Sequence, residues 1–318
     1  MAVFDYTTEF SNILDQKYAA ESKCDALYRS NPQVAFLSGD TIKLPHIAVS
    51  GYKDHNRSNI GFNSGTVTND WVPMKLSFDR DIEHFIDPMD VQETKEAVSI
   101  ANIERVFEEE QAIPERDAYT FSKLYTDYTD KFSKNADTTV LSVSNVLTVF
   151  DNFMAAMDDA GVPEEGRIMY VTAAVKKLLK NAEGISRQLD VTGRASDINR
   201  KVHSLDDVEI VTIPSIRFKT AYDFTDGFAP RQSVAAVEAD PTNNIEAVAA
   251  VEGAKQINMI LVHPSCVVAR MVYAYAKLFT PGHDTRAADK YVFQSRRYLD
   301  AFLLEHKLDG FKVNVAAA

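Results

Sequence analysis

The stretch 51–69, GYKDHNRSNIGFNSGTVTN, constrains this chain more than any other segment. It is dense in Gly, Asn, Ser and Asp, residues that accept positive φ or bond their own backbone, so it turns rather than packs. Extended segments flank it. Residues 43–50 lead in and residues 71–85 lead out. In the second, Met74, Leu76 and Phe78 alternate with Lys75, Ser77 and Asp79, the period of a strand. The arrangement predicts a long two-stranded projection with a polar tip. A lone ribbon is marginal in water, so a neighbour must support it, from the same chain or another.

The remaining segments read as a mixture of helices and strands, an α+β chain. Residues 10–28 carry a helical stripe that Asn31-Pro32 breaks, because the residue before proline disfavours the helical region. Residues 34–37 and Thr41–Val49 look extended, with a turn at Gly39-Asp40 between them. Asp87-Pro88 opens a helix, with Asp87 as cap and Pro88 where its missing donor costs nothing. Ile100, Ile103 and Phe107 continue it, Pro114 should kink or interrupt it, and Ala118, Phe121, Leu124 and Tyr128 resume it as a kinked spine. Residues 142–160 form a helix stopped by Gly161. Residues 167–171 form a short strand, and Thr172 caps the helix Ala173–Asn181. Val208–Ile213 and residues 256–262 are apolar runs suited to the middle of a small mixed sheet. Residues 229–253 lack periodicity and read as a surface loop. Asp309-Gly310, between two β-like runs, predicts a hairpin.

Signals for catalysis do not accumulate. No phosphate-cradling G-x-x-x-x-G-K-[ST], no G-x-G-x-x-G and no H-E-x-x-H occurs. The seven histidines (His46, His55, His84, His203, His263, His283 and His306) show no i,i+4 pair. Glu108, Glu109 and Glu110 read as a solvated helix face. Cys266 near His263 hints at a nucleophile but lacks an orienting third group, so it reads as a core thiol. Two cysteines exclude a disulfide framework and fit a reducing compartment. A net charge of −12 disfavours wrapping nucleic acid by phosphate neutralisation. The start, MAVFDYTTEF, lacks a secretory pattern, and no apolar run reaches the about 20 residues of a membrane helix. The expectation is a protein kept in a cytoplasm, with no enzymatic activity, no cofactor and no metal. Its salient features are protrusions rather than a pocket, as in a subunit whose edges are finished by other subunits.

The order of segments resembles the major capsid proteins of tailed bacteriophages, with the HK97-type shell fold. The likeness rests on VSGYKDHNR at 49–57, WVPMKLSFDRD at 71–81, MDVQET at 89–94 and IPERDAY at 113–119. GRIMYVT at 166–172, INMILVHPS at 257–265, DAF at 300–302 and KLDG at 307–310 complete it. The resemblance implies an N-terminal arm over 1–40 and an extended β-hairpin, the E-loop, over 41–86. It implies a spine-helix peripheral domain over 87–134 and 267–318, and an α/β axial domain over 135–266.

The implied function is assembly of hexamers and pentamers into an icosahedral capsid around double-stranded DNA, bound without sequence specificity. Its partners would be itself, a separate scaffolding protein and a portal protein, with no membrane. Assembly would take place in the bacterial host cytoplasm and end in the virion. Lys53, Asp54, Arg57 and Asp70 are suited to charge-paired contacts on a neighbour. Trp71, the only tryptophan, reads either as a core anchor or as an intersubunit contact. An encapsulin-type nanocompartment packaging protein cargo, and a cytosolic α/β enzyme using 51–69 as a substrate loop, are the alternatives.

Overall fold

A computed structural model describes residues 21–31, 41–55, 62–89, 100–182, 204–225, 253–282 and 289–317. The expectations for 10–20, 34–37, Gly39-Asp40, Arg57 and the 229–252 loop lie outside them.

A single helical turn, α1 (Asp25–Tyr28), precedes the ribbon. β1 (Thr41–Val49) and β2 (Val67–Lys75) pair antiparallel from Thr41–Lys75 to Val49–Val67 and form a sheet of their own. The alternating run expected over 71–85 divides at Leu76-Ser77. Beyond it β3 (Phe78–Ile86) leaves the ribbon for another sheet. Asp87 then caps as expected, its Oδ1 accepting from the Met89 N–H at 2.9 Å.

Further along, α2 (Ile100–Phe107) runs into α3 (Ile113–Thr126) through a π-helical turn over Glu108–Ala112. The break in regular helix expected at Pro114 takes the form of this π turn. Proline has no N–H to give and its ring crowds the carbonyl four residues back. The turn just before it widens, and the helix continues. Ala118, Phe121 and Leu124 give α3 its buried face, and a second π turn at Asp127–Lys131 ends it.

α4 (Val146–Asp159) stops at Gly161, whose φ of +71° suits a residue without Cβ. The Val162 N–H reaches back to the Met157 carbonyl at 3.0 Å and the Gly161 N–H to Asp158 at 2.9 Å, closing the helix end. β4 (Ile168–Thr172) follows, and Thr172 caps α5 (Ala173–Asn181), its Oγ1 accepting from the Val175 N–H at 3.3 Å. β5 (Ser204–Leu205), β6 (Val208–Ile213) and β7 (Ile257–Val262) complete this part of the sheet. β4 is parallel to β6 and antiparallel to β7. Tyr170, Ile260 and Val262 face Phe121 and Leu124 of α3. Met169, Val171, Met259 and Leu261 face Phe150 and Met157 of α4 and Leu179 of α5. Both faces are covered, which is why β4 and β7 are continuous apolar runs without alternation.

β8 (Val267–Phe279) and β9 (Tyr291–Leu303) are long antiparallel partners, and with β3 they form a sheet of order β3-β9-β8. β10 (Phe311–Val315) pairs with β7 at the edge of the five-stranded sheet, order β10-β7-β4-β6-β5. The hairpin expected at Asp309-Gly310 is thus corrected: β9 and β10 lie in different sheets, joined by a 3-10 turn over Glu305–Gly310. A type I′ turn needs positive φ at both central residues, and neither Asp309 nor Gly310 has it. Gly310 is needed for closeness instead, since a Cβ there would sit 3.3 Å from that of Cys266.

Candidate functional site

The groups that could do chemistry are dispersed and internally satisfied. Cys266 is buried, its Sγ donates to the Gly310 carbonyl at 3.4 Å, and burial pushes its thiol up to about 12. His263 turns away from it. Its Nδ1 lies 2.6 Å from Ser265 Oγ and its Nε2 lies 3.1 Å from the Glu165 carbonyl. A cavity of about 100 Å³ lies between β3, β9 and the helix, with Arg80, Glu115 and Arg297 in its wall. There Arg80 Nε donates to Glu115 at 2.7 Å, and Arg297 grips Glu108. Glu108 is therefore committed within the fold rather than solvated as expected. Burial raises the Glu115 carboxyl above its ordinary range despite Arg80. Among the described residues no cluster of His, Cys, Asp or Glu could hold a metal ion. No helix among them is long and apolar enough to cross a membrane.

What the fold does provide is a projecting ribbon on a rigid mount. At the tip, Ser50 and Thr66 bond reciprocally, Lys53 Nζ donates to the Ser64 carbonyl at 3.1 Å, and Asn63 Nδ2 donates to the Asp54 carbonyl at 2.7 Å. Asp70 Oδ1 accepts the Trp71 N–H at 2.7 Å. Lys53 and Asp70 therefore help shape the ribbon itself, while the Asp54 side chain remains exposed. Trp71 is 48% exposed, which corrects the core-anchor alternative.

Cross-strand partners share a face, and faces alternate along each strand. The register places Ile47, Val49, Val67 and Trp71 on one face, and all four are exposed, Val67 at 72%. The opposite face carries Val72 and Met74. With Leu76 they pack on Phe302, Tyr298 and Leu304. This face is the inner one.

The mount centres on Asp300, which is fully buried. Its carboxylate accepts from the Ser77 N–H at 2.8 Å, Ser77 Oγ at 3.1 Å, the Tyr119 hydroxyl at 2.9 Å and the Ala301 N–H at 2.8 Å. Tyr298 adds a bond from its hydroxyl to the Leu76 carbonyl at 3.0 Å. The point where the ribbon leaves the body is thus held by β9 and α3 together. Burial, and then the Asp300 charge, raise the Tyr119 phenol far above its ordinary range, so it stays a donor. Sequence reasoning did not pick out Asp300 or Tyr119 as site residues. The available signal was an acid inside the apolar run YLDAFL, which must be satisfied by bonds if buried. A second buried acid, Asp117, works similarly on the segment before α1, accepting from the Lys23 N–H at 3.1 Å and pairing with Arg217 at 3.5 Å.

No protein-family model matches the sequence, and no curated protein does. Solved structures do. The asymmetric unit of the bacteriophage PhiM1 mature capsid superposes with a TM-score of 0.64 at 14% identity, covering 98% of this chain and 92% of that one. The capsid structure of the cyanophage P-SCSP1u gives 0.62 at 13%, covering 98% and 93%. The fold is that of tailed-phage capsid proteins. The capsid of Myoviridae phage XM1 gives 0.56 at 10% identity, covering 100% of this chain and 99% of that one. At these identities the capsid-protein likeness is carried by backbone arrangement and not by retained side chains. It extends over nearly the whole chain.

Proposed function

We propose that the chain is the structural subunit of a phage capsid, with no enzymatic role, and that its main partner is a second copy of itself. The observation that carries this reading is a ribbon held at its base and left with an exposed apolar face, in a chain with a capsid-protein fold. Residues 41–86 act as the E-loop clasp and 1–40 as the N-terminal arm. Residues 87–134 with 267–318 form the peripheral domain, and 135–266 the axial domain around which hexamers and pentamers gather. The clasp binds through Ile47, Val49, Val67 and Trp71. Asp54 and Arg57 at the tip set register around them, while Lys53 and Asp70 keep the ribbon in shape for the contact. Exposed charge pairs contribute only about 0–1 kcal/mol each, so apolar burial dominates the contact.

The closed shell encloses double-stranded DNA. A net charge of −12 suits a wall that contains a polyanion without adsorbing it. A scaffolding protein and a portal protein complete the assembly, which takes place in the bacterial host cytoplasm. Negative-stain electron microscopy of the purified chain, alone and with a co-expressed scaffold, tests the reading. Closed shells, tubes or capsomer rings are expected, with DNA rather than protein cargo in particles from infected cells. Uniform small particles in both preparations would overturn it.

A further inference from the structure

His46 and His306, from opposite ends of the chain, stack face to face, with ring centroids 3.7 Å apart and planes 11° from parallel. His46 belongs to β1 of the ribbon and His306 to the turn between β9 and β10. They sit in a cleft of about 190 Å³ that Val72, Met74 and Leu304 also line, where the ribbon's inner face meets the body.

Two contacts of different character therefore hold the ribbon. One is the Asp300 mount with the packing of Val72, Met74 and Leu76 on Phe302, Tyr298 and Leu304, which starts where the ribbon leaves the body. The other is the ring stack. His46 pairs with Asp70, five positions beyond the Thr41–Lys75 pair at the base. At about 3.3 Å per residue this is about 17 Å out along the ribbon. The mount holds the ribbon where it leaves the body, and the stack holds it farther out.

We propose that the His46–His306 stack is a pH-gated latch, closed while the rings are neutral or share one charge and opened when both are protonated. Imidazole is the side chain that changes charge between about pH 5 and 8. Two imidazolium rings at van der Waals separation repel, with no room between them for water or a counter-ion. The charged groups around the pair reduce that repulsion without removing it. Asp70 shares the face of His46 and keeps its negative charge while its Oδ1 accepts the Trp71 N–H, so it tempers the repulsion rather than cancelling it. Glu305 and Lys307 flank His306 and carry opposite signs, and all three are exposed. The latch is a property of one chain, so its failure leaves the assembly reading intact, and the reverse.

The test is a distance within the full-length chain. Nitroxides go on Ser64→Cys at the ribbon tip and Asp159→Cys at the end of α4, both exposed sites, while Cys24 and Cys266 are buried and escape labelling. Labelled chain is diluted with unlabelled chain and measured by double electron–electron resonance at about pH 8 and about pH 5, spanning the imidazole range. Circular dichroism at both values confirms that the fold is retained. A single narrow distance at the higher pH and a second population at the lower one are expected. His306→Phe keeps a ring in the stack and removes one charge, so it should hold the narrow distance at both values. His46→Phe should do the same from the other side. An unchanged distance in the parent chain, or the same acid response in either Phe variant, would overturn the latch.

Discussion

The five-stranded sheet and the ribbon are made of comparable β-formers, yet they use them in opposite ways. Every residue of β4 is buried, and its two faces feed two separate cores. β2 has the same secondary structure, but only Met74 is buried. The sheet spends its apolar surface inside the chain. The ribbon leaves Ile47, Val49, Val67 and Trp71 outside. Burial separates the two kinds of strand here, and β-propensity does not.

The sharpest way to break that contrast is in the core. Phe121 lies at 5.0 Å from Tyr170 and 5.1 Å from Phe218, ring to ring. Phe121→Ala should cost about 3–5 kcal/mol in urea unfolding, enough to leave much of the chain insoluble. A loss below about 1 kcal/mol would remove the sheet as the centre of stability.

Next comes the mount. Asp300→Ala strands the Ser77 and Ala301 N–H groups and the Tyr119 hydroxyl. It should cost about 2–4 kcal/mol, given about 1–3 for each buried group left unsatisfied. Hydrogen exchange should accelerate at Ser77 and Phe78 well before the rest of the chain. Uniform acceleration would mean that Asp300 supports the body and not the ribbon.

A smaller effect separates the regions by pH. His84 packs against Phe107 and Phe293, and burial lowers its proton affinity in the folded state. The unfolded chain then binds the proton more readily. The stability this histidine contributes is full above the ordinary imidazole value of about 6.5 and is lost as pH falls below it. The urea midpoint should drop on acidification, less so in His84→Leu. An identical drop in the variant would assign it to other groups.

The smallest effect on stability belongs to the ribbon's outer face. Ile47→Ser with Val67→Ser should change the unfolding free energy by about 0.5 kcal/mol or less, as at ordinary surface sites. The same pair should abolish closed shells in electron micrographs. Normal shells would place the clasp elsewhere.

Much of this was legible in the sequence because it depends on local chemistry. The turn-rich tip, the Thr172 cap, the Gly161 stop and the apolar runs of β4, β6 and β7 each follow from a few neighbouring residues. The rest depends on partners distant in the chain. The alternation of Met74, Leu76 and Phe78 continues through Ser77 without a mark, although β2 and β3 part there, because the division is made by Asp300. Asp309-Gly310 has hairpin composition but answers to the crowding of Cys266. Of the expected contact residues, the structure keeps Trp71 outside and uses Lys53 and Asp70 in the ribbon's own bonding. The His46–His306 stack has no sequence signature, since no spacing rule links residues that far apart.

The position of β10 has a consequence in time. β7 cannot gain its outer neighbour until residues 311–315 have been synthesised, after all of β8 and β9. A growing chain therefore carries a bare β7 edge while the ribbon's platform is being made. Once β10 closes that edge, Asp300 and Phe302 are already in existence. The last stitch of the core thus comes after every part of the ribbon's mount, and a subunit still on the ribosome has an unfinished sheet. Translation order alone keeps the closed sheet from preceding the ribbon's mount.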